Sequence, residues 1–245
     1  FGVGVLFYRP NSKVDFTLFD RNMYTPHFKK DKDTRLYSEA LTAVGGLDTD
    51  NIYKQLRYKN LISMIKFAIS QGLEGDFAEC GVWRGHSAYI MASLLAEKDV
   101  EKTIHIFDSF EGLSDRKKED ESRFDLSSEK QEVEKESFAC DLRTVQTNLK
   151  KFGNIKYYPG WIPDKFSEVS GQNFSLVHID VDLYEPIRDS LKFFYERLVT
   201  GGIIVLDDVG MTQFQGAERA FNEFVASNPV SFYYITPAGA ALIIK

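Results

Sequence analysis

The chain has 245 residues, 43% of them hydrophobic and 27% charged, a length that suits one large α/β domain and a composition that excludes global disorder. Its formal net charge of −6 argues against nucleic acid as a main partner, and no apolar run approaches the ~20 residues that a bilayer span needs. Two isolated cysteines, Cys80 and Cys140, make neither a disulfide framework nor a zinc motif, so the expected setting is reducing and cytoplasmic.

Residues 1–50 show no clean periodicity. Pro10, Asn11, Pro26 and the run Lys29-Lys30-Asp31-Lys32-Asp33 punctuate them, which predicts an irregular arm. Such an arm suits a cover over a site or a subunit interface, and a homo-oligomer is expected from it. Residues 51–245 read as one domain. Asp50 or Asn51 caps a helix that Gly72 ends, with Leu61, Ile65, Ala68 and Ile69 on one face. A short strand over 76–80, a glycine turn over 81–85 and a helix over 86–95 follow. The alternation continues with strands over 103–107, 155–158, 174–179 and 201–206, which run into Asp108, Pro159-Gly160-Trp161, Asp180 and Asp207-Asp208. Helices are predicted over 185–198, with Pro186 in the first turn where its missing N–H costs nothing, and over 216–225. Strands over 230–235 and 240–244, joined by Thr236-Pro237-Ala238-Gly239, make a closing hairpin. The charged insertion at 115–149 reads either as a solvated helical excursion or as a lid over a substrate. The fold class expected is α/β: a doubly wound, mostly parallel sheet with helices on both faces and an antiparallel strand at or near one edge.

Ligands of such sheets bind at the carboxyl ends of the strands. Gly81 and Gly85 permit a tight turn and close backbone approach, and the following helix offers free N–H groups to an anion. The spacing E-x-G-x-x-x-G from Glu79 to Gly85 departs from the dinucleotide fingerprint G-x-G-x-x-G. A pyrophosphate would pass close to bulky Trp83 and acidic Glu79. An amino-acid tail fits better: its ammonium can use acidic groups, and its carboxylate can use N–H groups or Arg84. Asp108, at the end of the second strand, can accept from both ribose hydroxyls, or can make a turn or helix cap. Ser109 and Phe110 can flank the nucleoside, and Trp161 can pack near the adenine or serve only the core. Together these residues point to S-adenosylmethionine, held by Glu79, Gly81, Trp83, Arg84, Gly85, Ser87, Asp108, Ser109 and Trp161.

The fourth and fifth strands end in Asp180, Asp182, Asp207 and Asp208. Adjacent strands would gather these carboxylates, and clustered anions require protonation or a cation. Hard oxygen ligands favour Mg²⁺ or another hard divalent cation over zinc, so Asp180, Asp207 and Asp208 form a candidate metal site. Asp182 either caps the next helix or joins the site. His178 reads as a satisfied core histidine, while His27, His86 and His105 have no evident partners.

Four segments carry a resemblance: Leu56-Arg57-Tyr58-Lys59-Asn60-Leu61, the run from Gly75 to Gly85, His178-Ile179-Asp180-Val181-Asp182-Leu183-Tyr184-Glu185, and Gly201-Gly202-Ile203-Ile204-Val205-Leu206-Asp207-Asp208. Over roughly residues 52–225 the chain resembles the macrocin O-methyltransferase family, whose members methylate sugar hydroxyls of macrolide and aminocoumarin antibiotics. The resemblance implies a Rossmann-like class I methyltransferase fold, S-adenosylmethionine and a divalent metal, usually Mg²⁺. It also implies metal ligation by Asp180, Asp207 and Asp208, with Asp180 as the general base. His86 stands where a glycine is common and Val209 where an aromatic is common. Both departures leave the metal and cofactor residues in place and bear on the substrate. The expected function is O-methylation of a sugar-like or polyol hydroxyl on a small molecule. The rival readings are a metal-independent N- or carboxyl-methyltransferase, a non-catalytic nucleotide-binding or scaffold domain, and, more distantly, a dehydrogenase.

Overall fold

A computed structural model describes residues 31–121 and 127–245. Two helices, α1 (Lys32–Ala43) and α2 (Ile52–Ser70), precede the first strand β1 (Asp76–Cys80) and its helix α3 (His86–Glu97). Next come β2 (Ile104–Asp108), then α4 (Ser128–Ser137) and α5 (Leu142–Asn148) inside the charged insertion, then β3 (Ile155–Pro159) and β4 (Phe174–Ile179). The chain ends with α6 (Tyr184–Arg197), β5 (Leu198–Leu206), α7 (Gln215–Ser227), β6 (Phe232–Ile235) and β7 (Ala241–Ile244). The seven strands form one sheet in the order β3-β2-β1-β4-β5-β7-β6. Only β7 runs antiparallel to its neighbours, between β5 and β6, so the hairpin closes the sheet as expected.

Alternation along each strand builds two cores. Phe77, Leu176, Ile203 and Val205 face a layer made by α1, α2, α3 and α5. Ala78, Val177, Ile204 and Leu206 face α6 and α7 on the other side. Burial on both faces explains why these strands read as continuous apolar runs. Helix α2 starts where predicted: the Asn51 side chain accepts from the Lys54 N–H at 2.9 Å.

Two expectations need correction. The arm is not irregular over its last stretch, because α1 occupies Lys32–Ala43. Asp31, which in sequence belongs to a disruptive charge run, is its cap and accepts from the Thr34 N–H at 2.9 Å. Tyr37, Ala40, Leu41 and Val44 recur at helical spacing and are buried. The rest of the arm, His27 included, lies outside the described residues. The insertion is also less solvated than its charge suggests, since Asp120, Val145 and Leu149 are buried. Among the described residues no helix is long and apolar enough to cross a membrane. Both cysteines are free.

Candidate active site at the carboxyl edge of the sheet

Strand register brings the functional residues to one level. Cys80 pairs with Ile179, and Ile179 with Leu206. The next residue of each strand is therefore Gly81, Asp180 and Asp207. The Asp180 N–H donates to the Cys80 carbonyl at 2.8 Å, and the Asp207 N–H to the Ile179 carbonyl at 2.9 Å. The strand order reverses between β1 and β4, which is the switch point where open α/β sheets bind ligands. A cavity of about 500 Å³ opens there, within the usual range for small-molecule sites.

The glycine turn is shaped by close packing. Gly81 has φ +81°, and a Cβ there would lie 1.8 Å from the Asp180 carbonyl oxygen. No side chain fits without moving β4. Trp83 is itself left-handed at φ 44°, and Gly85 precedes α3 at φ 96°. Asp108 holds this turn. One carboxylate oxygen accepts from the Val82 and Trp83 N–H groups at 2.6 and 3.2 Å, and the other from Phe110 at 2.7 Å. Burial raises its pKa above the ordinary carboxylate range, and these three backbone bonds oppose that shift without cancelling it. Asp108 thus acts as a turn residue while it also lines the cavity.

Gly81, Trp83, Arg84, Ser87, Asp108, Ser109 and Trp161 all line the cavity, together with Asp180, Asp207 and Asp208. Glu79 is placed elsewhere. It is fully buried under the helical layer, where it accepts from His178 Nδ1 at 2.9 Å. Period-two alternation carries its side chain to the same sheet face as Phe77. His178 is thus the satisfied core histidine expected. Burial lowers its pKa, but the Glu79 bond and charge outweigh this and hold it at about 9. Arg84 is also engaged away from a ligand: its guanidinium donates to the Gly45 carbonyl at 2.8 Å and to Asp48 at 3.0 Å, and it stacks over Trp83. Ser109 donates to the Gly112 carbonyl at 2.9 Å. Phe110 packs into the core instead of flanking the cavity, and Phe138 of the insertion takes that place. Trp161 is 37% exposed on the cavity wall, so it has no purely core role.

Asp180, Asp207 and Asp208 each offer an oxygen within 4.8 Å of the others. Asp208 Oδ2 is buried without a hydrogen-bond partner. Burial, then the charge of Asp207, raise the Asp180 pKa to about 7, with His178 and Arg57 opposing. Burial and the neighbouring carboxylates also push Asp208 well above its ordinary range. Part of the repulsion is relieved by Arg57, whose Nε donates to Asp207 at 2.8 Å. An orphaned carboxylate oxygen among three hard donors fits a divalent cation.

Asp182 lines the same cavity and does not cap α6. That cap is Asp120 of the insertion, which accepts from the Tyr184 N–H at 2.7 Å. Lys54, Arg57 and Phe138 are cavity residues that sequence reasoning misses. Nothing in their local pattern separates them from core and surface positions, although Arg57 lies within one of the four family motifs.

Comparison with known proteins bears on this geometry. The sequence profile of Macrocin-O-methyltransferase (TylF) matches residues 26–232, which span the glycine turn and every acidic residue of the cavity. The chain belongs to the macrocin O-methyltransferase family. It is therefore an S-adenosylmethionine-dependent O-methyltransferase with the Rossmann-like class I fold. One relative in the family's sugar-modifying chemistry is the 8-demethyl-8-(2,3-dimethoxy-alpha-L-rhamnosyl)-tetracenomycin-C 4'-O-methyltransferase of Streptomyces olivaceus. It is 28% identical over 189 residues, 71% of this chain and 69% of that protein. Mycinamicin III 3''-O-methyltransferase of Micromonospora griseorubida is 29% identical over 157 residues, 62% of each chain. The solved O-methyltransferase NovP shares the fold at a TM-score of 0.68 and 21% identity, over 88% of this chain and 99% of that one.

Proposed function

We propose that this family member methylates a sugar hydroxyl of a small natural product, with Mg²⁺ held by Asp180, Asp207 and Asp208. The observation that carries the reading is the gathering of these three carboxylates, one of them with an orphaned buried oxygen, beside the glycine turn in one cavity. The relatives named above support the acceptor class, since one acts on the 4' position of a rhamnosyl group.

The transfer forms a bond between the acceptor oxygen and the methyl carbon and breaks the sulfur–carbon bond, leaving S-adenosylhomocysteine. The hydroxyl proton must leave. Asp180, which lines the cavity, would take it, and Asp182, two residues on in the same loop, offers a second carboxylate. Burial, then the charges of Asp180 and Asp207, push the Asp182 pKa well above its ordinary range. A divalent cation at the cluster would neutralise it and stabilise the ionised hydroxyl. Gly81 and the start of α3 would hold the amino-acid tail, while Asp108, Ser109 and Trp161 would hold the nucleoside; Gly85 shapes the turn without lining the cavity. The protein's contribution is chiefly positioning and charge stabilisation.

Turnover of a glycosylated acceptor by Asp180→Asn and Asp182→Asn tests the assignment. Loss of general-base catalysis costs about 10²–10⁴-fold. We expect a loss of that size in Asp180→Asn with S-adenosylhomocysteine binding retained. Near-normal turnover in Asp180→Asn would remove it as the base, and a collapse confined to Asp182→Asn would move that role there.

A further inference from the structure

Helix α2 sends two cations into the cavity one turn apart. Arg57 is committed to Asp207. Lys54 has no such partner, although it is only 8% exposed. Its Nζ donates to Thr49 Oγ1 at 2.8 Å, and among the described residues no carboxylate oxygen comes within 4.0 Å of it. Two rings also lie near it, with the Trp83 centroid at 5.5 Å and the Tyr58 centroid at 5.7 Å. An ammonium has three donors, and burying it against one neutral hydroxyl is costly unless an anion completes the site. Burial does lower its pKa, with the charge of Asp180 opposing.

The position of Lys54 says which anion. Trp83 belongs to the glycine turn, so the ammonium sits at that end of the cavity. Helix α3 begins there, directly after Gly85, and its first N–H groups have no partner within the helix. Arg84, the cation that the sequence suggests for the cofactor carboxylate, has its Nη1 drawn to Gly45 and Asp48. Lys54, by contrast, has only a neutral hydroxyl as its hydrogen-bond partner.

We propose that Lys54, with the amino end of α3, binds the carboxylate of the methionine tail of S-adenosylmethionine. This rests on the cofactor assignment above and adds the residue that recognises the tail. A cation here distinguishes the full cofactor from adenosine-type ligands that lack the carboxylate.

Calorimetric titration of wild type, Lys54→Met and Lys54→Arg with two ligands tests it. One is S-adenosylhomocysteine and the other its decarboxylated analogue, which keeps the nucleoside, thioether and ammonium. Losing a charge-assisted hydrogen bond weakens binding by roughly 10–100-fold. We expect Lys54→Met to lose that much affinity for S-adenosylhomocysteine with the analogue unaffected, and Lys54→Arg to recover part of it. Equal weakening of both ligands would mark Lys54 as merely structural. Unchanged S-adenosylhomocysteine affinity with a raised KM for the acceptor would move the charge to the substrate. Either result overturns the proposal. Wild type that binds neither ligand would instead overturn the cofactor assignment itself.

Discussion

His86 shows how one side chain links the fold to acidity. It stacks on Tyr58 at 4.2 Å, tilts against Tyr37 at 4.8 Å, and its Nε2 lies 3.1 Å from the Tyr37 carbonyl. Its Nδ1 has no partner. Burial, with the charge of Lys54, depresses its pKa to about 3. The unfolded chain therefore takes up the proton first, near pH 6.5. Stability from the neutral ring is intact above that pH and is lost as pH falls from about 6.5 towards about 3. The slope for one proton is about 1.4 kcal/mol per pH unit at most. Denaturant midpoints of wild type and His86→Phe should therefore diverge between pH 6 and pH 4, with wild type losing more. Parallel curves would show that His86 titrates normally in the folded chain. In sequence the residue is only a departure from a family pattern. Its place between two tyrosines, one on α1, is a tertiary fact.

Among the elements, the insertion departs most from its sequence reading. Its 3-10 turn at Lys118–Asp120 carries a carboxylate that is 2% exposed. One Asp120 oxygen accepts from the Tyr184 N–H at the start of α6, and the other accepts from its own turn at Lys117. Gly216 makes room, since a Cβ there would lie 1.9 Å from Asp120 Oδ1. The insertion is thus pinned to α6 and α7, and it brings Ser137 and Phe138 to the cavity wall. Removing a helix cap typically costs about 1 kcal/mol, up to about 2. Asp120→Ala should lower stability by that amount in thermal unfolding and also raise the KM for the acceptor, because the wall it anchors loosens. A stability loss with unchanged KM would separate the cap from the cavity. The charge run around Asp120 has the pattern of a solvated surface because an acidic residue that caps a distant helix has no local signature.

For the molecule as a whole, the main consequence of the topology is that the proposed cofactor and metal positions share one cavity without sharing strands. The glycine turn follows β1, while the carboxylates follow β4 and β5. A ligand that binds only the folded state stabilises it by about 2.7 kcal/mol at a hundred times its Kd. S-adenosylhomocysteine and Mg²⁺ should each raise Tm, and Asp208→Asn should remove the Mg²⁺ increment while leaving the other. Activity that survives exhaustive chelation, with no Mg²⁺ increment in wild type, would favour a metal-independent reaction.

Strand alternation, helix caps and turn glycines are local properties, and they make the doubly wound sheet and its closing hairpin legible in the amino-acid sequence alone. The chemically distinctive strand ends, Gly81, Asp108, Asp180, Asp207 and Asp208, are legible for the same reason: each sits one or two steps from an apolar run whose period is visible. Side-chain direction and long-range partnership are not. Glu79 turns into the core to meet His178, Arg84 turns to Asp48, Asp120 caps a helix 64 residues on, and Lys54 enters the cavity without a counter-ion. These outcomes depend on which segments pack together in space, and sequence spacing carries no record of that packing.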